Sequence, residues 1–249
     1  MKQSLLFVLI YILFMSSAFA QQEDLSLYLF ANISEPFGDF GKNFAPNTGA
    51  TRRTGYYLGD KVGLAQMGYG IGAELISPIW FKGMRWVFST KMIVNGVDDK
   101  AVTADFSSWL GDTVDVAFDF GHWYNIPVMT GFRYDHHFSH RYTIYTIVLA
   151  GVNISKAPSK RITTGEIEAE NTKYEVARDF GYEIGLGFML DQTFNVGFRY
   201  LQLGTPRYDG TQTLSGQVFP GTFRQKKALL GEERSVSMFL VTLGVQLFK

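Results

Sequence analysis

With 249 residues, 23 basic and 23 acidic side chains and a formal net charge of zero, the chain carries no electrostatic excess that would draw it to nucleic acid. It has no cysteine, which excludes disulfides and acylation of a lipoprotein cysteine. It is rich in glycine and aromatics, and past residue 20 no apolar run is long enough for a membrane helix, so a place in a membrane would require a closed barrel.

In chain order, Lys2 precedes an apolar run from Leu5 to Met15, and Ser16, Ser17, Ala18, Phe19 and Ala20 follow. The run is shorter than the roughly 20 residues of a spanning helix, and Ala18-Phe19-Ala20 has the form of a signal-peptidase site. Residues 1–20 are therefore predicted to be a cleaved secretory signal, cut after Ala20, leaving residues 21–249 as a single domain. Cleavage removes one base, Lys2, and no acid, taking the 23 basic residues to 22 against 23 acidic ones, a net charge near −1.

Eight strands are predicted, near 24–34, 65–77, 84–95, 123–135, 141–155, 178–190, 193–204 and 235–248. The clearest runs from Phe180 to Leu190, where Phe180, Tyr182, Ile184, Leu186, Phe188 and Leu190 alternate with Gly181, Glu183, Gly185, Gly187 and Met189. The segments 35–64, 96–122, 156–177 and 205–234 are long, whereas those at Ser77–Gly83, Asp135–His140 and Asp191–Thr193 are short. Four long loops at one end and three tight turns at the other are the layout of an all-β, eight-stranded, antiparallel up-and-down transmembrane barrel. A soluble sandwich has no reason to segregate its connections in this way.

The alternation assigns faces. In the second strand Met67, Tyr69, Ile71, Ala73 and Leu75 are expected outside, with Gln66, Gly68, Gly70, Gly72 and Glu74 inside. In the fourth, Tyr124, Ile126, Val128, Phe132 and Tyr134 oppose Asn125, Pro127, Met129, Gly131 and Arg133; in the seventh, Phe194, Val196, Phe198 and Tyr200 oppose Asn195, Gly197 and Arg199. The last strand is expected to slip by one residue near Met238, at a bulge. Trp80 and Trp86 flank the first short turn, Tyr134 and Tyr142 the second, and Trp123 with Tyr124 opens the fourth strand, which predicts interfacial aromatic girdles. Trp109 is expected within the second long loop.

The stretch Tyr124-Asn-Ile-Pro-Val-Met-Thr-Gly-Phe-Arg-Tyr134, a short turn, and Ile147-Val-Leu-Ala-Gly-Val-Asn-Ile154 resemble the central hairpin of the bacterial outer-membrane β-barrel proteins labelled porin-family, with an OmpA-like barrel domain. The resemblance implies an outer-membrane location and delivery by the barrel assembly machinery. Such proteins usually end on an aromatic residue, whereas here Phe248 is followed by Lys249.

Glu74, Arg85, Lys91, Arg133, Glu183 and Arg199 all fall on the predicted inner face. In a hairpin about Asp191–Thr193, Arg199 lies opposite Gly185 and diagonal to Glu183. Eight strands enclose room for little more than side chains, so the charges are expected to pair and plug the lumen. The alternative is a small-solute channel gated by those pairs.

The third long loop is expected to be a hairpin turning near Glu170-Asn171, and Val114–Phe120 a second extension. These loops are expected to contact an extracellular ligand or, through Arg52, Arg53, Lys226 and Lys227, lipopolysaccharide. His136, His137 and His140 share a turn, and their spacing would suit a metal only on a helix; no metal and no cofactor is expected. His122 with Asp112, Asp119, Ser107 and Ser108 supplies ingredients of acyl transfer without a recognised spacing, leaving a lipid-modifying enzyme as the third reading. The expectation is a non-enzymatic, monomeric outer-membrane barrel in outer-membrane lipid and lipopolysaccharide, acting structurally or through adhesive loops, with no nucleic-acid partner.

Overall fold

The computed structural model describes residues 25–41, 63–110, 115–139, 141–218 and 221–248. The predicted signal, with Ala18 and Ala20, lies outside them, as do Arg52, Arg53, Asp112 and His140. Strands β1 (Ser26–Pro36), β2 (Ala65–Pro78) and β3 (Met84–Val97) are followed by helix α1 (Asp99–Leu110) and β4 (Val116–Phe120). Next come β5 (Trp123–His137), β6 (Tyr142–Lys156), β7 (Lys160–Thr164), β8 (Ile167–Tyr174), β9 (Val176–Leu190) and β10 (Phe194–Gln202). The chain ends with β11 (Arg207–Val218), β12 (Gly221–Glu233) and β13 (Ser237–Phe248).

Eight of these strands close into an antiparallel barrel in the order β1-β13-β10-β9-β6-β5-β3-β2, with β1 pairing β2 to complete the cylinder. Closure leaves no edge, so every long strand can satisfy its backbone groups on both sides. The alternation of β9 is realised directly: Phe180, Tyr182, Ile184, Leu186 and Phe188 are exposed on the outside, and Glu183 and Met189 are buried within. The tight turn after β9 is made by Asp191 (φ 52°) and Gln192 (φ 58°), and the turn before β3 by Gly83 (φ 79°). Backbone at positive φ reverses a strand sharply, and Gly and Asp adopt it more readily than most residues.

The long connections form a second layer. Strands β12, β11, β8, β7 and β4 make a five-stranded sheet in that order at the long-loop end. Helix α1 packs on β4, burying Leu64, Val102, Val116 and Phe118 together.

Four local expectations are corrected. The hairpin of the third loop turns at Gly165-Glu166, with Gly165 at φ 58°, while Glu170 and Asn171 lie within β8 opposite Ile162 and Arg161. A turn needing positive φ goes to glycine in preference to Glu-Asn. Gln66 is exposed and not inward, because a bulge between Ala65 and Gly68 breaks the alternation there. The last strand does not slip at Met238, which stays in register with Leu201 and Pro36. Met238 and Leu240 are fully buried inside, so apolarity alone cannot tell the two faces apart at this end. Finally, the segment 96–122 contains α1 ahead of the expected extension, which is β4, and 205–234 contains the β11–β12 hairpin where a long loop was expected.

Candidate functional site

The lumen is built in layers of inward side chains. In the middle, β2, β3, β9 and β10 contribute Glu74, Lys91, Glu183 and Arg199, all of them 0–2% exposed. Arg199 Nη1 donates to Glu74 Oε1 and, at 2.7 Å, to Glu183 Oε1, while its Nη2 donates to Glu74 Oε2 at 3.2 Å. Lys91 Nζ reaches Glu183 Oε2 at 2.6 Å and the Ser89 hydroxyl at 2.7 Å, and Ser89 Oγ donates to Glu74 Oε1 at 3.2 Å. The Phe30 ring lies 5.4 Å from the ammonium and 5.5 Å from the guanidinium. Two carboxylates and two cations thus form a neutral, interlocked quartet across the barrel axis.

Towards the short turns lies a second cluster. Asp135 accepts from Arg133 Nε at 2.6 Å and from Arg85 Nε at 2.7 Å. The Arg133 guanidinium sits 3.9 Å above the Tyr145 ring, whose hydroxyl donates to Asn195 at 2.7 Å. Glycine leaves room for that ring, because a Cβ at Gly187 would clash with the Tyr145 Cζ and hydroxyl. Asp135 and Tyr145 were absent from the expected network. Asp135 was read as the start of a turn, yet β5 runs on to His137 and keeps Arg133 and Asp135 on the same inner face.

Towards the long loops the filling turns polar and then apolar. Asn153 Nδ2 and Ser155 Oγ both donate to Asn125 Oδ1, at 3.1 and 2.9 Å, and Ser155 meets the Tyr208 hydroxyl at 2.6 Å. Beyond them Trp123, Phe40, Tyr208 and Leu203 close the end. Trp123 corrects the girdle expectation: it is 2% exposed, its Nε1 donates to the Gly63 carbonyl at 2.9 Å, and it packs edge-on against Phe40 and Tyr208. Trp80, Tyr124, Tyr134 and Tyr142 are on the outer surface, and Trp86 is half-buried beside Phe88.

The exterior of the barrel is a belt of apolar side chains such as Ile71, Leu186, Val196 and Leu243, exposed from all sides of the cylinder. Such a continuous apolar surface around a charged interior is the inverse of a water-soluble protein and matches a bilayer.

The five-stranded sheet carries its own ion pairs. Burial would raise the Glu170 carboxyl, but Lys160 at 2.7 Å and the hydrogen bonds around it hold it below the usual carboxylate range. Burial, with Glu232 as acceptor at 2.7 Å, pushes the Tyr174 phenol up. Lys173, Arg224 and Lys226 are exposed on β8 and β12, bordering a shallow depression with Asn171, Thr211 and Thr213. Of the residues considered for acyl transfer, Asp119 faces Arg161 at 3.8 Å and Ser107 lies on α1. His137 Nδ1 hydrogen-bonds Thr143 at 2.8 Å.

No family model and no curated protein matches the chain. Among solved structures it is similar to Neisserial surface protein A (10% identity, 89% of this chain and 95% of that one, TM-score 0.39). It is likewise similar to Ail, the attachment invasion locus protein of Yersinia pestis (11%, 91% and 99%, 0.40). A third likeness is to the outer membrane protein OprG from Pseudomonas aeruginosa (10%, 92% and 97%, 0.41).

Proposed function

We propose that this protein is an integral barrel of the bacterial outer membrane, exported by a signal at residues 1–20, that anchors an interaction surface and conducts nothing. The observation that carries this reading is the burial of the lumen charges. A water-filled pore would leave Glu74, Lys91, Arg133, Glu183 and Arg199 open to solvent, whereas each is at most 2% exposed. With the lumen sealed, the surface left for function is the five-stranded sheet, whose outer strand β12 pairs only with β11 among the described residues. Its Lys226 and Lys227 are exposed, as are Phe223 and Leu230, a mixture suited to lipopolysaccharide, an adhesion partner or another ligand. Trp80, Trp86, Tyr124, Tyr134 and Tyr142 serve as interfacial anchors, and the barrel works as a monomer placed by the assembly machinery. It has no catalytic role in this reading.

Single-channel recording in planar bilayers tests the sealed lumen. The wild type is expected to show no stable open state, and a reproducible conductance altered by Arg199→Ala would overturn the reading in favour of a gated channel.

A further inference from the structure

The charge balance of the lumen is uneven. The middle quartet is neutral, with Glu74 and Glu183 matched by Lys91 and Arg199. The cluster at the short-turn end holds two cations, Arg85 and Arg133, and one carboxylate, Asp135, both of whose oxygens are already engaged. The next acid on this inner face, Asp179, is six residues along β9 from Gly185, about 20 Å, and accepts from the N–H groups of Phe180 and Thr205. It cannot balance the excess.

Arg133 carries the consequence. It is 1% exposed, its Nε is spent on Asp135, its Nη2 faces the Met189 sulfur, and its Nη1 has no hydrogen-bond partner among the described residues. The Tyr145 and Tyr28 rings, 3.9 and 5.9 Å from the guanidinium carbon, offer their negative faces but no countercharge. A buried guanidinium with an orphaned N–H is costly, and Arg133 also lines a vestibule beside it. Tyr28, Arg85, Arg133, Asp135, Met189 and Gln246 line a partly enclosed vestibule at the short-turn mouth, with room for roughly one water-sized body. Its lining includes two guanidinium groups, and Ser26 there accepts from Gln246 at 3.3 Å, with no acceptor for its own hydroxyl proton among the described residues.

We propose that this vestibule is a binding site for a single small monovalent anion, of halide size, held by Arg133 Nη1 with Arg85 as the second cation. The anion completes the charge balance of the plug, making the stability of the barrel depend on halide at its short-turn end. The enclosed room matches a halide better than a phosphate group.

The test uses the full mature protein folded in detergent, in chloride, bromide or gluconate at constant ionic strength. The unfolding midpoint of the wild type is expected to rise saturably with chloride and bromide, by about 4 °C when the halide reaches roughly ten times its Kd, and to stay flat in gluconate. Arg85→Gln leaves the Arg133–Asp135 pair intact and removes the excess charge, so it should fold and lose the halide dependence. Crystals soaked in bromide should show an anomalous peak within hydrogen-bonding reach of Arg133 Nη1. Equal midpoints in chloride and gluconate, a response that Arg85→Gln retains, or a vestibule holding only water would each overturn the proposal.

Discussion

Replacing Arg199 with methionine is expected to cost about 3–5 kcal/mol of barrel stability, the range seen when one partner of a buried ion pair is removed. Arg199 touches both Glu74 and Glu183 and is 1% exposed. Without it, two buried carboxylates share Lys91, which lies 2.6 Å from Glu183 and 3.9 Å from Glu74, so Glu74 is left the poorer. The penalty is that of an uncompensated charge. The double variant Arg199→Met with Glu74→Gln keeps the Lys91–Glu183 pair and restores neutrality, and should recover most of the loss. Urea titration in lipid vesicles measures both; a single variant within about 0.5 kcal/mol of wild type would show that the quartet does not hold the lumen.

Trp123→Ala is expected to cost about 3–5 kcal/mol, as truncation of a fully packed aromatic does. The indole joins the barrel end to the segments on either side of residues 42–62, through its packing on Phe40 and its bond to the Gly63 carbonyl. Trp123→Phe keeps the packing and strands that carbonyl, so the smaller loss of about 1–2 kcal/mol separates the two contributions. An interfacial girdle residue would behave otherwise: its removal would cost little, and its fluorescence would be quenched by brominated lipid. Shielding of Trp123 from that quencher, with a large loss on truncation, is the expected pair of results.

The barrel was legible because period-two alternation is strong wherever one face meets lipid and the other is glycine or charge, as in Phe180–Leu190. The same rule placed Glu74, Lys91, Arg133, Glu183 and Arg199 inside, where the structure finds them. It failed where the inner face changes character. At the long-loop end the filling is apolar, so Trp123, Met238 and Leu240 point inward without any contrast to announce it. Asp135 was lost to a turn because acidic and histidine residues cluster there, although the inward phase continues through it. Helix α1 packs on β4 and the β11–β12 hairpin on β8, both above the barrel, so neither lipid nor lumen imposes a clean period on them.

The apolar exterior of the barrel is the face expected to meet lipid around the whole cylinder. The chain contains no cysteine, so a thiol introduced at Ile71, Leu186 or Leu243, on β2, β9 and β13, would be the only one to carry a spin label. In reconstituted vesicles, labels at all three positions should be relaxed by oxygen, which concentrates in the bilayer, and barely by a water-soluble nickel chelate, whereas a label at Lys173 should show the reverse. Nickel relaxation at Ile71, Leu186 and Leu243 equal to that at Lys173 would contradict a membrane-spanning barrel.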